Sequence, residues 1–387
     1  MKLIQSTIIK KNDKQYKEIL DLCHKSKNLY NATLYEIRQR YFKDKKYLSY
    51  VELDHYFKES NNIDYRSLPS QTAQQIMRLV DQNFKSFFKL IKKEGCKARI
   101  PKYKDKSGTF ILIYTSQQIS YKFLKEGFIK LPGLNCIFKT QLNHIKQIRF
   151  IPVTGCIKME IVFDIEDVPE LNDNGSYMGI DLGINNLATM ISNIGMCEII
   201  NGKPLKSINQ YYNKKRSHYQ SIKKKTDKLT LKRNNKINDY LHKASRYIVN
   251  QAVSNKINTI IIGLNKGWKQ DINIGTENNQ KFVCIPHSRF IDMLKYKCKL
   301  DGIRFIVREE SYTSKASFLD LDYIPNVKDK NQHSFTGNRI KRGLYVSKSG
   351  ILNADVNGSF NILRKEVGDG VIPADIGFVF NPKRISL

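Results

Sequence analysis

The chain has 387 residues, with 66 Lys plus Arg against 36 Asp plus Glu, a formal net charge of +30. That length can bury a full core and fits two or three domains. The charge excess repels itself unless a polyanion offsets it, so nucleic acid is the first partner implied.

A membrane partner is not expected. No apolar run approaches a membrane span, Met1 to Lys11 lacks a signal-peptide core, and no basic amphipathic helix shows a Trp/Leu face. The seven cysteines (Cys23, Cys96, Cys136, Cys156, Cys197, Cys284 and Cys298) form no CxxC pair. This is the pattern of reduced thiols in a cytoplasmic protein, not of a disulfide framework.

Met1 to Ile9 reads as a lone strand, and Asp13 as the N-cap of a helix with apolar residues from Tyr16 to Tyr41 at helical spacing. Ser49-Tyr50-Val51-Glu52 is a capping box that opens a short second helix. A third helix, from about Gln71 to Lys93, gathers Ala73, Ile76, Met77, Val80, Phe84, Phe87, Phe88 and Ile91 on one face. Lys85, Lys89, Lys92 and Lys93 stay off that face, either as solvated surface or, in a chain this basic, as phosphate contacts. The period then changes. Arg99, Lys102, Tyr103 and Lys104 form a basic and aromatic stretch. Short strands are expected at Phe110 to Tyr114, Phe128 to Leu131 and Cys136 to Phe138, with a hairpin of Ile148 to Ile151 and Ile157 to Phe163 around Gly155. Together they predict a small β-barrel or sandwich, with the helices inserted after its first strand. Asp167 to Asn174, polar and containing Pro169, reads as a linker.

The second half alternates strands and helices. Met178-Gly179-Ile180-Asp181-Leu182-Gly183 and the run from Leu187 to Ile191 predict a hairpin. Asp181 then stands near a strand end, where it either holds a metal ion or bonds its own turn backbone near Gly183. Two Lys-rich helices follow (about Leu205 to Lys225 and Leu229 to Asn255), then a buried strand from Asn258 to Leu264. A helix from Pro286 to about Leu300 precedes a strand from Gly302 to Val307, which Glu309 and Glu310 close. Asp355 opens the last helix, where aspartate is also a favoured N-cap, and Asn357, Ser359 and Asn361 read equally well as ordinary helix-start residues. Carboxylates converging from separate elements are what a pair of magnesium ions about 4 Å apart requires for phosphodiester hydrolysis.

The segments Met178–Thr189 and Asn353–Ile362 resemble the first and third RuvC-type motifs of TnpB, the transposon-encoded RNA-guided nuclease family related to type V CRISPR effectors. Gln71–Phe84 and Glu310–Lys315 extend the resemblance over nearly the whole chain. It implies an α/β plus β fold. An RNase H-like (RuvC-type) nuclease domain would occupy residues 173–316 and 351–387. A wedge-type β-barrel would occupy 1–10 and 95–172 and carry a helical recognition insert at 11–94. The partners implied are a guide RNA derived from the transposon end and double-stranded target DNA next to a short flanking motif, with no small-molecule substrate. The cofactor implied is Mg2+, as two ions on Asp181, Glu310 and Asp355, and the place implied is the cytoplasm of a prokaryote, at the nucleoid.

Two departures from the family pattern stand out. Its second motif usually places a glutamate where this chain has Gly263. Either the site is dead or another carboxylate has taken the place. Glu310 is the candidate, from the strand expected beside that of Gly263, with Glu309 in reserve and a solvated glutamate pair as the plain alternative. The zinc knuckle often inserted before the last motif is the second departure. Ser317, Asp320, Val346 and Ser349 fall at its cysteine positions, so no zinc is expected and residues 317–350 should persist as a metal-free loop subdomain. Lys328, Lys330, Arg339, Lys341 and Arg342 there are candidates for nucleic-acid contact. Lys266, Trp268 and Lys269 are further ones, with Trp268 either stacking on a base or anchoring a loop. His287 reads as a capping or core residue. The reading reached is an RNA-guided DNA endonuclease of a transposable element. Its alternative is a nuclease-inactive, RNA-guided DNA-binding repressor, and a transposase acting without RNA is the third.

Overall fold

The computed structural model describes residues 1–93, 95, 98–265, 284–327, 329, 332–341 and 343–387, which divide into two units, Met1–Glu166 and Asp167–Leu387. Among the described residues no helix is long and apolar enough to cross a membrane. The described cysteines are free thiols, and burial pushes Cys23, Cys197 and Cys298 up to about 12.

In the first unit, β1 (Lys2–Lys10) leads into four helices: α1 (Tyr16–Asp44), α2 (Tyr50–Glu59), α3 (Ile63–Arg66) and α4 (Ser70–Ile91). Ser49 and Glu52 form the capping box that the sequence announces for α2. Asp13 does not cap α1; its carboxylate accepts the Lys10 amide at 2.7 Å to close a turn, and Gln15 holds the cap position. Beyond the helices lie β2 (Leu112–Thr115), α5 (Tyr121–Lys125), β3 (Phe128–Lys130), β4 (Ile137–Lys139), β5 (Ile145–Val153) and β6 (Cys156–Asp164). The sheet order is β1-β6-β5-β2, all antiparallel, with β3 and β4 as a separate ribbon. Among the described residues no ladder joins β1 to β2, so the sheet is open where a barrel is expected. The apolar faces of α1 and α4 close over it, with Leu29, Leu34, Val80 and Phe84 meeting Tyr114, Ile148 and Phe150 in one core.

The second unit is a mixed α/β layer structure. Its sheet runs β11-β10-β7-β8-β9-β15, from β7 (Tyr177–Leu182), β8 (Asn186–Ser192), β9 (Cys197–Asn201), β10 (Thr259–Gly263), β11 (Arg304–Arg308) and β15 (Lys383–Ile385). β7, β8 and β9 form an antiparallel meander, and β10 and β11 add parallel to β7. Side chains alternate between the two faces. Met178, Ile180, Ile260 and Ile262 pack on α7 (Asp227–Ser254) and α8 (His287–Leu300), which with α6 (Lys203–Ser221) cover one face. The opposite face of β8 and β9 packs Ile191 and Ile199 against Val356, Phe360 and Leu363 of α9 (Ala354–Val367). That alternation turns Asp181 and Gly263 toward α9.

Between β11 and α9 lies a second small sheet, the antiparallel meander β12 (Asn338–Lys341), β13 (Leu344–Ser347) and β14 (Gly350–Asn353). Part of what reads as a loop subdomain in sequence is therefore ordered β-structure. Strands of four residues give a periodicity signal too short to read.

Candidate active site

Three strand ends and one helix start meet at a cavity of about 600 Å³. β7 delivers Asp181 one residue beyond the Ile180–Ile262 pair, level with Gly263 at the end of β10. β11 pairs Arg308 with Gly263, and Glu310 follows two residues on. Asn265 fixes that step, its Oδ1 accepting the Glu310 amide at 3.2 Å. Asp355 comes from the first turn of α9. Asn353, not Asp355, caps that helix, accepting the amides of Asp355 and Val356 at 2.9 and 3.3 Å. The Asp355 carboxylate is thereby released from capping and lines the cavity with Asp181 and Glu310.

Two glycines let these carboxylates converge. A Cβ on Gly358 of α9 would stand 3.2 Å from Asp181 Oδ2, so glycine there spares that carboxylate a tight contact with the helix. A Cβ on Gly263 would stand 2.7 Å from Glu310 Oε2 and 2.4 Å from Ile362 Cδ1. The volume in front of Gly263 is thus filled by Glu310 from one neighbouring element and Ile362 from another.

The crowding has an electrostatic signature. Burial, then the Asp355 and Glu310 charges, push the Asp181 carboxyl well above the ordinary range, with Arg339 opposing. Burial, then the Glu309 charge, raise Glu310 to about 7. Like charges held side by side in a partly buried cavity are an environment that a cation relieves. Hard carboxylate oxygens are also the donor set that suits magnesium. Cationic and amide groups surround the acids: Asn186 Nδ2 donates to Asp355 Oδ2 at 2.7 Å, Arg339 of β12 to Asp355 Oδ1 at 3.0 Å, and Lys203 and Arg384 line the same cavity. His287, fully buried at the start of α8, lies 3.1 Å from the Gly183 carbonyl and steadies the turn beyond Asp181.

The reserve residue, Glu309, is placed elsewhere. Its carboxylate takes Lys365 Nζ at 2.7 Å and the Ser311 amide at 2.6 Å. Although burial works against it, those bonds hold its carboxyl below the usual range. Of the other candidates, Lys89, Lys92, Arg99 and Lys102 are exposed on the first unit. Lys85 is paired with Asp81 at 2.6 Å. Lys104 lies over the rings of Tyr30 and Phe110, its backbone bonded both ways to Asn31. Lys266, Trp268, Lys269, Lys328, Lys330 and Arg342 lie outside the described residues.

The residues that sequence reasoning passed over are the polar ones of α9. Asn357, Ser359 and Asn361 are fully buried. Ser359 Oγ donates within 2.9 Å of the carbonyls of Gly179 and Thr189, tying α9 to β7 and β8. Asn357 and Asn361 donate to the carbonyls of Ala316 and Thr313, fastening the segment beyond Glu310 to the helix that carries Asp355. Their spacing in the third motif was the available signal, because short polar side chains on a buried helix face must find partners.

A family model described as a probable transposase, OrfB of IS605, matches residues 160–269, and a model of the Cas12f1-like TNB domain matches residues 287–362. The chain is TnpB-like. The transposase match takes in the Asp181 hairpin and the Gly263 strand of this TnpB-like chain, and the second match takes in Glu310, the β12–β14 meander and Asp355. No curated protein matches. Two of the solved structures similar to the chain serve as examples. One is described as a Cas12f1–sgRNA–target DNA complex, with 16% identity, a TM-score of 0.39, and coverage of 94% of this chain and 100% of that one. The other is a CRISPR–Cas12f ternary complex, with 15% identity, a TM-score of 0.38, and coverage of 90% and 82%.

Proposed function

We propose that the TnpB-like chain is an RNA-guided, magnesium-dependent DNA endonuclease with Asp181, Glu310 and Asp355 as its metal-holding carboxylates. The observation that carries this reading is that the three acids line one cavity, where burial, then the Asp355 and Glu310 charges, raise the Asp181 carboxyl, with Glu310 reaching into the space in front of Gly263. The sheet order, an antiparallel meander extended by two parallel strands, supports an RNase H-like (RuvC-type) domain. Magnesium, when bound, supplies charge neutralisation at a phosphodiester and a more acidic water. Asp181, Glu310 and Asp355 would hold it. Asn186 orients the Asp355 carboxylate, and Lys203, Arg339 and Arg384 present positive charge toward a phosphate backbone at the cavity edge. Guide pairing would choose the target, while the protein reads a short flanking motif and the heteroduplex backbone. The charge of +30 supports both polyanions as partners.

The deciding experiment purifies the full chain, sequences the nucleic acid that accompanies it, and assays cleavage of a target library with a randomised flank in magnesium. The expected result is one defined RNA and cleavage next to one flanking motif. Target binding with no cleavage of any flank would favour the repressor reading. Recovery of only random cellular fragments would overturn the RNA-guided reading itself.

A further inference from the structure

The four positions that the family's zinc knuckle would fill with cysteine are Ser317, Asp320, Val346 and Ser349 in this chain, and they do not fit zinc. Asp320 is the one zinc-type donor among them, and its oxygens are already taken. Oδ1 accepts Ser349 Oγ at 2.5 Å and the Ser349 amide at 3.1 Å. Oδ2 lies 2.6 Å from Thr336 Oγ1 and accepts the Lys348 amide at 3.3 Å. The Asp320 amide in turn donates to Ser317 Oγ at 3.2 Å. The other three positions, Ser317, Val346 and Ser349, supply no thiolate, imidazole or carboxylate to complete a zinc set.

We infer that Asp320 replaces the zinc of the knuckle as a hydrogen-bonded hub, and that through the meander it is a positioning residue for Arg339 at Asp355. A zinc ion joins the two arms of a knuckle by drawing four thiolates to one point. Here one carboxylate draws three segments together: the turn after Ser317, Thr336 just before β12, and the Lys348–Ser349 turn between β13 and β14. Asp322 reinforces it, accepting the amides of Ser317 and Thr336 at 2.8 and 3.0 Å. Although desolvation opposes it, the bonds from Ser349 and Thr336 hold the Asp320 carboxyl far below the usual range, so it stays an anion and an acceptor throughout the working pH range. From this hub β12 carries Arg339 to Asp355 Oδ1, and β14 runs directly into Asn353, the cap of the helix that bears Asp355. The hub therefore fixes both ends of the Arg339–Asp355 contact, and its catalytic consequence rests on the nuclease reading.

The test compares the full chain with Asp320→Ala and with the four-cysteine variant S317C/D320C/V346C/S349C, each purified with its RNA. Hydrogen exchange, zinc stoichiometry and cleavage are measured. Asp320→Ala should speed amide exchange across residues 336–350 and slow cleavage by roughly tenfold, the low end of what loss of a partner behind a ligand costs. Target affinity should stay within about threefold, since most energy of target pairing lies in the guide. The cysteine variant should take up one zinc per chain and regain slow exchange and cleavage only when zinc is supplied. Three outcomes would each overturn the hub: a wild-type chain that retains one zinc through dialysis, exchange unchanged in Asp320→Ala, or a cysteine variant that binds no zinc. If Asp320→Ala does not fold, the zinc-dependent order of the cysteine variant still decides. Exchange and zinc content need no cleavage, so a wild type that never cuts would refute the nuclease reading and leave the hub standing on its own measurements.

Discussion

Glu310 occupies the volume that a side chain at position 263 would need: a Cβ there would lie 2.7 Å from Glu310 Oε2. A side chain at 263 would oblige the ends of Glu310 and Ile362 to shift, so the two positions compete for one space at the ends of neighbouring parallel strands. A glycine on β10 thus leaves room for the Glu310 carboxylate to lie where it does, just beyond β11.

Glu310→Ala should abolish magnesium-dependent cleavage as completely as Asp181→Ala or Asp355→Ala, with guide and target binding retained, because the remaining ligands cannot neutralise and position the metal. Glu309→Ala should still cut. Its cost should appear in stability, about 1–3 kcal/mol by denaturant titration, since it strips a charged partner from the buried Lys365. Wild-type cleavage by Glu310→Ala would refute the assignment.

Exchanging the two positions tests the shared volume. Gly263→Glu alone should destabilise the chain by about 1–3 kcal/mol through overpacking against Ile362 and Glu310. In the Glu310→Ala background the same substitution should cost less, by about 1 kcal/mol, and should restore measurable cleavage. Equal costs in both backgrounds, read from a double-mutant cycle of unfolding free energies, would show that the two sites do not compete.

Asn361→Ala removes the donors to the Thr313 and Ala316 carbonyls and the acceptor for Arg364 Nη1 at 2.9 Å. All lie in the interior, so the loss should be about 2–4 kcal/mol in urea unfolding. A surface-like value below about 0.5 kcal/mol would contradict the burial.

Lys297 of α8 is buried, with Nζ donating to His242 O and Ser245 Oγ at 2.7 Å each. Burial, and secondarily Arg246, lower it from 10.5 to about 8. Between those values the unfolded chain binds the proton and the folded chain does not, so folding stability attributable to this group rises as pH increases from about 8 to 10.5. Below about 8 the full penalty for the buried charge applies. Lys297→Met should therefore raise Tm at pH 7.5 more than at pH 9.5. A gain independent of pH would refute the assignment.

How much of this is legible in sequence differs by element. The capping box at Ser49 and Glu52, the apolar face of α4 and the apolar strand runs of the second unit are local patterns, and the structure repeats them within a residue or two. Asp13 and the residues around the β12–β14 meander are misread locally, and whether Asp355 caps its helix is left open. A cap depends on which neighbour, Asn353 or Asp355, reaches the free amides first, and four-residue strands leave no periodic trace.

Sequence by itself determined which side chains are acidic at strand ends and helix starts, that the chain needs a polyanion, and that the knuckle positions lack thiolates. The tertiary structure alone decided which of those groups meet. Asn186 reaches Asp355 across 169 residues, Ser359 bonds Gly179 across 180, and Lys365, by claiming Glu309, leaves Glu310 as the acid in the cavity. Such pairings follow from strand order and from the face on which α9 packs. Both are set by burial of the apolar layers over the whole unit, and no local run of sequence encodes them.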